Sequence, residues 1–246
     1  MQIPSQRIDT GALRLEVVTG RIVDVHVRGD GGPFNDILKS RIDALEKMSP
    51  LNAAEAERLL MLANDIPGLS VQLGLSPNTE SRVPGELIGD LAVTYRRAAV
   101  YANVQNYNSK LLGRESAYVR AEYYSLLGMS DRAFIAGSST FDFKEQKFAQ
   151  IGEEIGIGSK GDRLSLTGTI AYSRPSLDTL DLRTLSLIAN LQYTRPLVRT
   201  VSTRLQATAG FEWAQQRTKV YGNSGGLPLN RDRIATVYLG LDLDKR

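Results

Sequence analysis

The sequence of 246 residues predicts a small α+β module followed by an antiparallel, all-β membrane barrel, with the division near residue 97. Helix and strand periods are mixed up to about residue 96, whereas apolar and polar residues alternate from Ala98 onward. About eight alternating segments of ~10 residues follow, which is the length that crosses a bilayer at a tilt. The mean hydropathy of −0.21 agrees with such a barrel, because lipid-facing apolar residues alternate with polar ones.

Composition excludes several classes of function. The chain has no cysteine, so disulfides, thiol catalysis and Cys-ligated zinc are excluded, and its single histidine, His26, excludes sites that need two imidazoles. A net charge of +3 without a basic block indicates no nucleic-acid partner. Residues 1–7 have no signal-peptide core, and no stretch has the ~20 apolar residues of a membrane-spanning helix.

The first module begins with a predicted strand over residues 20–28, where apolar and polar residues alternate. Its apolar face carries Val23, Val25 and Val27, and its polar face carries Asp24, His26 and Arg28. No partner for His26 is near it in the sequence, so this histidine is interpreted as solvated surface rather than as a site.

Two helices are predicted next. The first covers residues 34–48, where apolar residues recur every three or four positions, as suits a helix on a sheet. The second begins at Asn52, whose side chain can cap the free amides, with Glu55 completing a capping-box-like pattern. It ends before Pro67, which cannot continue a helix. Alternation then predicts strands at residues 69–75 and 87–93, giving the order strand, helix, helix, strand, strand.

The barrel strands are predicted at residues 98–107, 116–126, 132–141, 148–158, 163–173, 183–194, 199–217 and 232–243. The second, fourth and sixth connections take about four or five residues, and the others are longer, ending with the Gly-rich Thr218–Arg231. This alternation is typical of outer-membrane barrels, which have tight turns at one end. A soluble all-β protein remains the alternative, because aromatic residues, at 7%, are sparse for interface girdles.

In a wide barrel the polar face of each strand lines a wet lumen. In a soluble sheet the same residues would form the solvent face. Glu153 interrupts the apolar face of its strand, which predicts a position near the membrane interface or a bulge. The predicted lumen-lining residues are Asn103, Arg120, Glu122, Glu154, Gln192, Arg204 and Gln206.

Catalytic interpretations are weak, and we expect neither an enzyme nor a cofactor nor a small-molecule substrate. Residues 156–161 have the spacing of a dinucleotide-binding fingerprint, but a predicted strand follows them where that fold requires a helix. Glu153 and Glu154 are adjacent in a strand, so they point to opposite faces and cannot act together on one substrate.

Four segments resemble a known family. Residues 13–22 resemble the junction between two POTRA domains, and residues 51–60 with 64–69 resemble the second POTRA helix and its exit. Residues 106–115 look like the first barrel hairpin of the ShlB/FhaC/HecB family, and residues 126–131 resemble its first periplasmic turn. These are the outer-membrane transporters of two-partner secretion, which are related to the assembly factor BamA.

The resemblance implies the end of one POTRA domain at residues 1–20, a POTRA domain at 21–96, and the N-terminal part of a sixteen-stranded barrel at 97–246. The family's Arg-Gly-Tyr or Arg-Gly-Phe loop motif is absent, so we expect a fragment. The implied location is the outer membrane, in contact with its lipid, with the POTRA domain in the periplasm.

The implied function is to receive an unfolded partner exoprotein and move it to the cell surface. POTRA modules take such clients by pairing with an exposed sheet edge. Here the candidate edge is the segment 68–75, with Leu69, Val71, Gln72 and Leu73 as its binding residues, although these apolar side chains also suit a core. The alternatives are a BamA-like assembly factor and a soluble β-rich binding protein.

Overall fold

A computed structural model describes residues 17–158, 160–177, 179–222 and 225–245. The chain forms two compact units. The first contains the described residues up to Asp65 together with Leu69–Tyr95, and the second contains Ile66–Gly68 and the described residues from Arg96 onward. In the described part of the chain, no helix is long and apolar enough to cross a membrane.

The first unit has the predicted order of elements. They are β1 (Arg21–Asp30), α1 (Asn35–Glu46), α2 (Ala53–Asn64), β2 (Leu69–Pro77) and β3 (Glu86–Tyr95). The strand order is β1-β3-β2, with β1 parallel and β2 antiparallel to the central β3. Helix α1 packs on β1 and α2 packs on β2. The core between helices and sheet is built on Ile22, Leu45 and Ala56.

The predicted start of α2 is confirmed. The Asn52 side chain accepts hydrogen bonds from the amides of Ala54 and Glu55, at 3.1 and 3.3 Å. Glu55 forms an ion pair with Arg58 one turn further along. The cap therefore depends on Asn52, while Glu55 stabilises the first turn from outside.

The predicted facing of β1 is wrong in one respect. The pairing of β1 with β3 shifts between Ile22 and Asp24, so strict alternation is interrupted there by a β-bulge. As a result Ile22 is buried and Val25 packs against the core, whereas Val23 is exposed. Val27, beyond the bulge, is also exposed. Because of the bulge, Ile22 rather than Val23 lies on the face that the helices cover.

The second unit is an antiparallel sheet of eight strands in sequence order, as predicted. Its strands are β4 (Ala98–Gln105), β5 (Ser116–Tyr124), β6 (Arg132–Thr140), β7 (Gln146–Ile157), β8 (Asp162–Ser173), β9 (Asp181–Arg199), β10 (Thr203–Gly222) and β11 (Gly225–Lys245). Among the described residues, the edge strands β4 and β11 each pair with one neighbour only.

The two faces of this sheet are inverted relative to a soluble protein. The apolar face is the exposed one, with Ile151 at 66% and Leu239 at 82% of full exposure. The other face holds polar and small residues that are more deeply buried, such as Glu122 at 7% and Ala136 at 4%. Water would penalise such an apolar surface, so this face requires a nonpolar environment.

The predicted alternation of connection lengths is wrong in two places. The second connection, residues 125–131, is longer than the third, residues 141–145, and the loop of the last hairpin is much shorter than predicted. Residues 218–231, predicted as a Gly-rich loop, are largely strand, because β10 extends to Gly222 and β11 starts at Gly225. Cross-strand contacts hold this extension: Val220 lies opposite Leu227, and the Tyr221 ring lies beside Gly226. Strands β9, β10 and β11 are therefore 19 to 21 residues long, twice what a bilayer requires.

Aromatic rings on the polar face cover glycines of the neighbouring strand. A Cβ on Gly210 of β10 would lie 2.2 Å from the Tyr238 ring, and one on Gly152 of β7 would lie 2.5 Å from Phe134. The absence of a side chain at these two positions lets each ring lie flat against the backbone. Such pairs fix the strand register.

Candidate functional site

The polar face of the second unit carries all seven residues that were predicted to line a lumen. The register of consecutive strand pairs places them on one side of the sheet. Glu122 is buried, Arg120, Glu154, Gln192 and Gln206 are half-buried, and Asn103 and Arg204 are exposed. The alternation in the sequence thus located the face, although it carried no information about which of these residues touch.

Five charged residues form one ionic network across four strands. Glu122 accepts a 2.6 Å hydrogen bond from the Arg120 Nε and lies 3.8 Å from an Arg132 nitrogen. Arg132 also pairs with Glu154 at 3.2 Å, and Glu154 pairs with Arg163 of β8 at 2.9 Å. Each carboxylate therefore lies between two guanidinium groups, so the charged groups of the polar face pair with each other.

Glu122 is the most enclosed member of this network. Its second oxygen accepts a 2.7 Å hydrogen bond from the Tyr124 hydroxyl. The Arg120 guanidinium also lies over the Phe134 ring, 3.7 Å from its centroid. Because Phe134 covers Gly152, the ionic network and the aromatic–glycine pair support each other.

A second polar cluster holds β9 to β11. Tyr238 donates to Gln192 at 3.0 Å, and the Asn190 amide donates to the Tyr238 hydroxyl at 3.1 Å. Gln206 and Arg204 form a smaller pair, in which the Arg204 guanidinium donates to the Gln206 side chain at 2.8 Å. None of these contacts is an ion pair, in contrast to the network on β5 to β8.

In the first unit, β2 is an edge strand that pairs only with β3 among the described residues. Antiparallel pairing directs alternate backbone groups outward. Since Asn64 binds the backbone of Val71 from the open side, the outward positions are Leu69, Val71, Leu73 and Leu75. The side chains of Leu69 and Val71 are buried in the core, Leu73 is half-buried against it, and Gln72 is exposed.

The side-chain amide of Asn64 occupies part of this edge. It donates to the Val71 carbonyl and accepts from the Val71 amide, both at 2.8 Å. Asn64 is the last residue of α2, so the helix end satisfies the edge backbone at one position. The backbone groups of Leu73 and Leu75 have no such cover among the described residues, and the sequence carried no sign of this division.

The turn between β5 and β6 is organised by Asp131, which is completely buried. Its carboxylate accepts hydrogen bonds from the amides of Leu127 and Met129, all at 3.0 Å. Burial acts to raise the pKa of Asp131, but these amide hydrogen bonds outweigh it and hold the pKa below its usual value. Glu153 of β7 is the carboxyl that faces Asp131 from the neighbouring strand.

The other motifs weighed in the sequence form no site among the described residues. Gly156 and Ile157 end β7, and β8 starts at Asp162, so a strand follows the glycines; Ser159 lies outside the described residues. Glu153 and Glu154 lie on opposite faces of the sheet. His26 does have a neighbour, since its Nε2 is 3.0 Å from an Asp24 oxygen, but both side chains are well exposed.

No protein-family model matches this sequence, and no curated protein sequence matches it. The fold matches solved structures. CdiB from Escherichia coli is 16% identical with a TM-score of 0.64, covering 100% of this chain and 46% of that one. CdiB from Acinetobacter baumannii is 12% identical with a TM-score of 0.56, covering 100% and 46%.

BamA from Haemophilus ducreyi lacking POTRA domains 1–3 is 11% identical with a TM-score of 0.52, covering 92% of this chain and 44% of that one. At these identities the likeness establishes the fold alone, which this chain shares with parts of CdiB and BamA. The resemblance seen in the sequence is confirmed at this level. The chain spans somewhat less than half the length of these structures.

Proposed function

We propose that this chain is part of an outer-membrane pore that exports an unfolded partner protein, as in two-partner secretion of haemolysins and adhesins. The eight strands would be half of a sixteen-stranded barrel in contact with outer-membrane lipid. The first unit would be a periplasmic POTRA domain, and residues 1–20 the end of a preceding one; residues 1–16 lie outside the described residues.

The observation that carries this proposal is the inverted sheet. Its apolar face is exposed while its polar face is the more buried one. A lipid-facing surface and a wet interior account for this arrangement, whereas a soluble sheet would bury its apolar face. The seven polar residues from Asn103 to Gln206 are then candidates for the lumen wall.

The ionic network suits a wall past which a polypeptide slides. Glu122 and Glu154 are each held between arginines, so their charges are largely neutralised before any client arrives. An unfolded chain carries both signs of charge and would bind to unpaired groups on the wall. Mutual pairing lowers that affinity and keeps transit fast.

The open part of β2 is the proposed client-binding edge. Leu69, Val71, Gln72 and Leu73 were predicted for this role. Because Asn64 occupies the backbone of Val71, we place client pairing at Leu73 and Leu75. Backbone pairing is independent of side-chain identity, which suits a receptor for unfolded segments.

Cysteine labelling tests the membrane assignment, since the chain has no cysteine of its own. Leu239→Cys places a thiol on the exposed apolar face, and Gln206→Cys places one on the polar face of the adjacent strand. In membranes from producing cells, we expect Leu239→Cys to react with a membrane-confined maleimide and to resist a charged thiol reagent. Gln206→Cys should show the opposite pattern.

Equal reaction of both thiols with the charged reagent would contradict the proposal and favour a soluble β-rich binding protein. A BamA-like assembly role shares the labelling pattern and is favoured by the likeness to BamA. The two roles differ in the client. Recovery of a nascent barrel protein, rather than a secreted polypeptide, on the β2 edge would support the assembly role.

Leu75→Pro tests the edge directly. The backbone amide of Leu75 points away from β3, so proline removes a donor for the client without breaking a bond within the sheet. With a photo-cross-linker at Ser76 and a permanently unfolded carboxymethylated polypeptide as probe, we expect cross-linking to fall by about tenfold, as loss of one or two strand hydrogen bonds predicts.

Leu75→Ala is the matched control, because it removes the same exposed side chain and keeps the amide. It should cross-link at nearly the level of the unchanged protein. Circular dichroism of both variants would show that the fold is retained. Equal cross-linking of Leu75→Pro and Leu75→Ala would mean that the client does not pair with this strand.

A further inference from the structure

The outward face of β9, β10 and β11 changes character above Trp213. Below this residue the face is apolar from Leu205 to Trp213 on β10 and from Leu243 to Ala235 on β11. Above it, the outward positions include the uncharged Leu185, Leu187, Gln215 and Tyr221. Among the other outward positions of the three strands are five basic side chains and one acid. They are Arg183, Arg217, Lys219, Arg231, Arg233 and Asp181.

The acid is already neutralised. Asp181 accepts hydrogen bonds from Arg174 at 2.8 and 2.9 Å and from Arg183 at 3.2 and 2.7 Å. Arg183 also stacks on the Tyr221 ring, 3.9 Å from its centroid. Arg217, Arg231 and Lys219 have no carboxylate partner among the described residues, and Arg233 donates only to the neutral Gln215 side chain.

Two of these arginines face each other directly. Arg217 of β10 and Arg231 of β11 are cross-strand partners, with Arg233 two residues along the same face. Like charges directly opposite on antiparallel strands destabilise a sheet. The arrangement becomes favourable when an anion bridges the pair, and the guanidinium group is suited to phosphate because it donates two parallel hydrogen bonds.

The height of the three arginines above Trp213 places them in or just above the lipid headgroup layer. Arg233 and the Arg217–Arg231 pair lie two and four residues above the Trp213 level, which at ~3.3 Å per residue and a ~40° tilt is roughly 5 and 10 Å along the membrane normal. Tryptophan marks the membrane interface, and the headgroup layer beyond the hydrocarbon is about 5–8 Å deep. Arg233 therefore lies within this layer, whereas the backbone of Arg217 and Arg231 lies just above it, and long arginine side chains can reach back to the phosphate groups.

We propose that Arg217, Arg231 and Arg233 form a binding surface for the phosphate groups of anionic lipids in the leaflet at the β10–β11 hairpin end. This inference rests on the proposed membrane location. The surface binds the headgroup through the facing arginine pair, while the acyl chains lie along the apolar face below Trp213.

Trp213 is the only tryptophan of the chain, so its fluorescence reports the lipid beside this surface. The full chain is reconstituted in phosphatidylcholine vesicles that contain brominated phosphatidylglycerol or brominated phosphatidylcholine, which quench tryptophan on contact. We expect the anionic lipid to be preferred at least about fivefold, the contribution of a single basic residue near an anionic surface.

The double variant Arg217→Gln/Arg231→Gln should lower this preference to below about twofold. Lys39→Gln/Lys47→Gln, at two exposed positions of the first unit, removes the same two charges and should leave the preference unchanged. In a neutral detergent the double variant should unfold at the same or a higher urea concentration than the unchanged chain, because a repulsion has been removed.

The outcomes separate the two proposals. Absence of quenching by either lipid would mean that Trp213 does not face lipid, and the membrane assignment itself would fail. Equal quenching by both lipids, or a preference unaffected by the double variant, would overturn the headgroup surface alone. Loss of the preference in millimolar inorganic phosphate would assign the arginines to free phosphate and overturn the lipid assignment.

Discussion

Glu122→Ala is expected to destabilise the eight-stranded sheet by about 3–5 kcal/mol, the usual effect of removing one partner of a buried ion pair. The change removes the carboxylate that accepts hydrogen bonds from the Arg120 guanidinium and the Tyr124 hydroxyl, in a site where Glu122 is only 7% exposed. Arg120 would also lose the anchor that holds it over the Phe134 ring. The measurement is the urea midpoint of the reconstituted chain.

Glu212→Ala provides the matched control. Glu212 lies on the same polar face, but the hydrogen bond that it accepts from the Asn190 amide is long, at 3.5 Å. We expect its loss to change the free energy of unfolding by less than about 1 kcal/mol. Similar small effects of both substitutions would show that the network does not contribute to the stability of the wall.

Glu122→Gln separates charge from hydrogen bonding at the same position. The amide retains an oxygen that can accept from Tyr124, but it no longer neutralises Arg120 and Arg132. Its stability should therefore fall between those of the unchanged chain and Glu122→Ala. If the proposed sliding wall is correct, unpaired arginines in this variant also retain acidic segments of a client, and export of such a client slows.

The faces of the barrel-like sheet could be predicted from sequence because strand geometry has a period of two. Once a strand such as residues 163–173 is recognised, each side chain can point to only one of the two faces of the sheet. The positions of the apolar residues then show which side chains belong to which face. Antiparallel neighbours then align all eight faces. For this reason the seven predicted residues, from Asn103 to Gln206, lie on one side of the sheet.

Contacts between distant residues could not be predicted in this way. The Asn64 side chain reaches Val71 only because α2 ends beside β2, and the pairing of Arg132 with Glu154 depends on a register between two strands. The prediction of a long loop at residues 218–231 was wrong for a related reason. Glycine and proline favour a loop locally, but pairing with β9 and between the two strands keeps the segment extended.

Asp131→Asn is expected to destabilise the β5–β6 turn by about 2–3 kcal/mol, because hydrogen bonds to a charged group are stronger than neutral ones. In the native turn both carboxylate oxygens accept from the Leu127 amide, and one also accepts from Met129. Asparagine replaces one acceptor by an NH₂ group that faces an N–H donor. Faster hydrogen exchange of the Leu127 and Met129 amides would report the loosened turn.

The same contact predicts a pH dependence with a definite sign. The pKa of Asp131 is lower in the folded chain than its ordinary value of 3.8. Its contribution is therefore complete above that ordinary value and is lost as the pH falls through the folded pKa. When both chains also carry Glu153→Gln, the stability difference caused by Asp131→Asn should be constant from pH 7 to 5 and should shrink on further acidification.

Two comparisons make this test specific to the turn. Asp244→Asn, at the exposed end of β11, removes a carboxylate without disturbing the turn and should leave the unfolding midpoint nearly unchanged. The Glu153→Gln background removes the carboxyl that faces Asp131. The titration of the other carboxyls is common to both chains, so the change of the stability difference below pH 4 belongs to Asp131. A stability difference that persists undiminished at pH 2 would mean that the carboxylate charge does not hold the turn, and that asparagine destabilises it by shape alone.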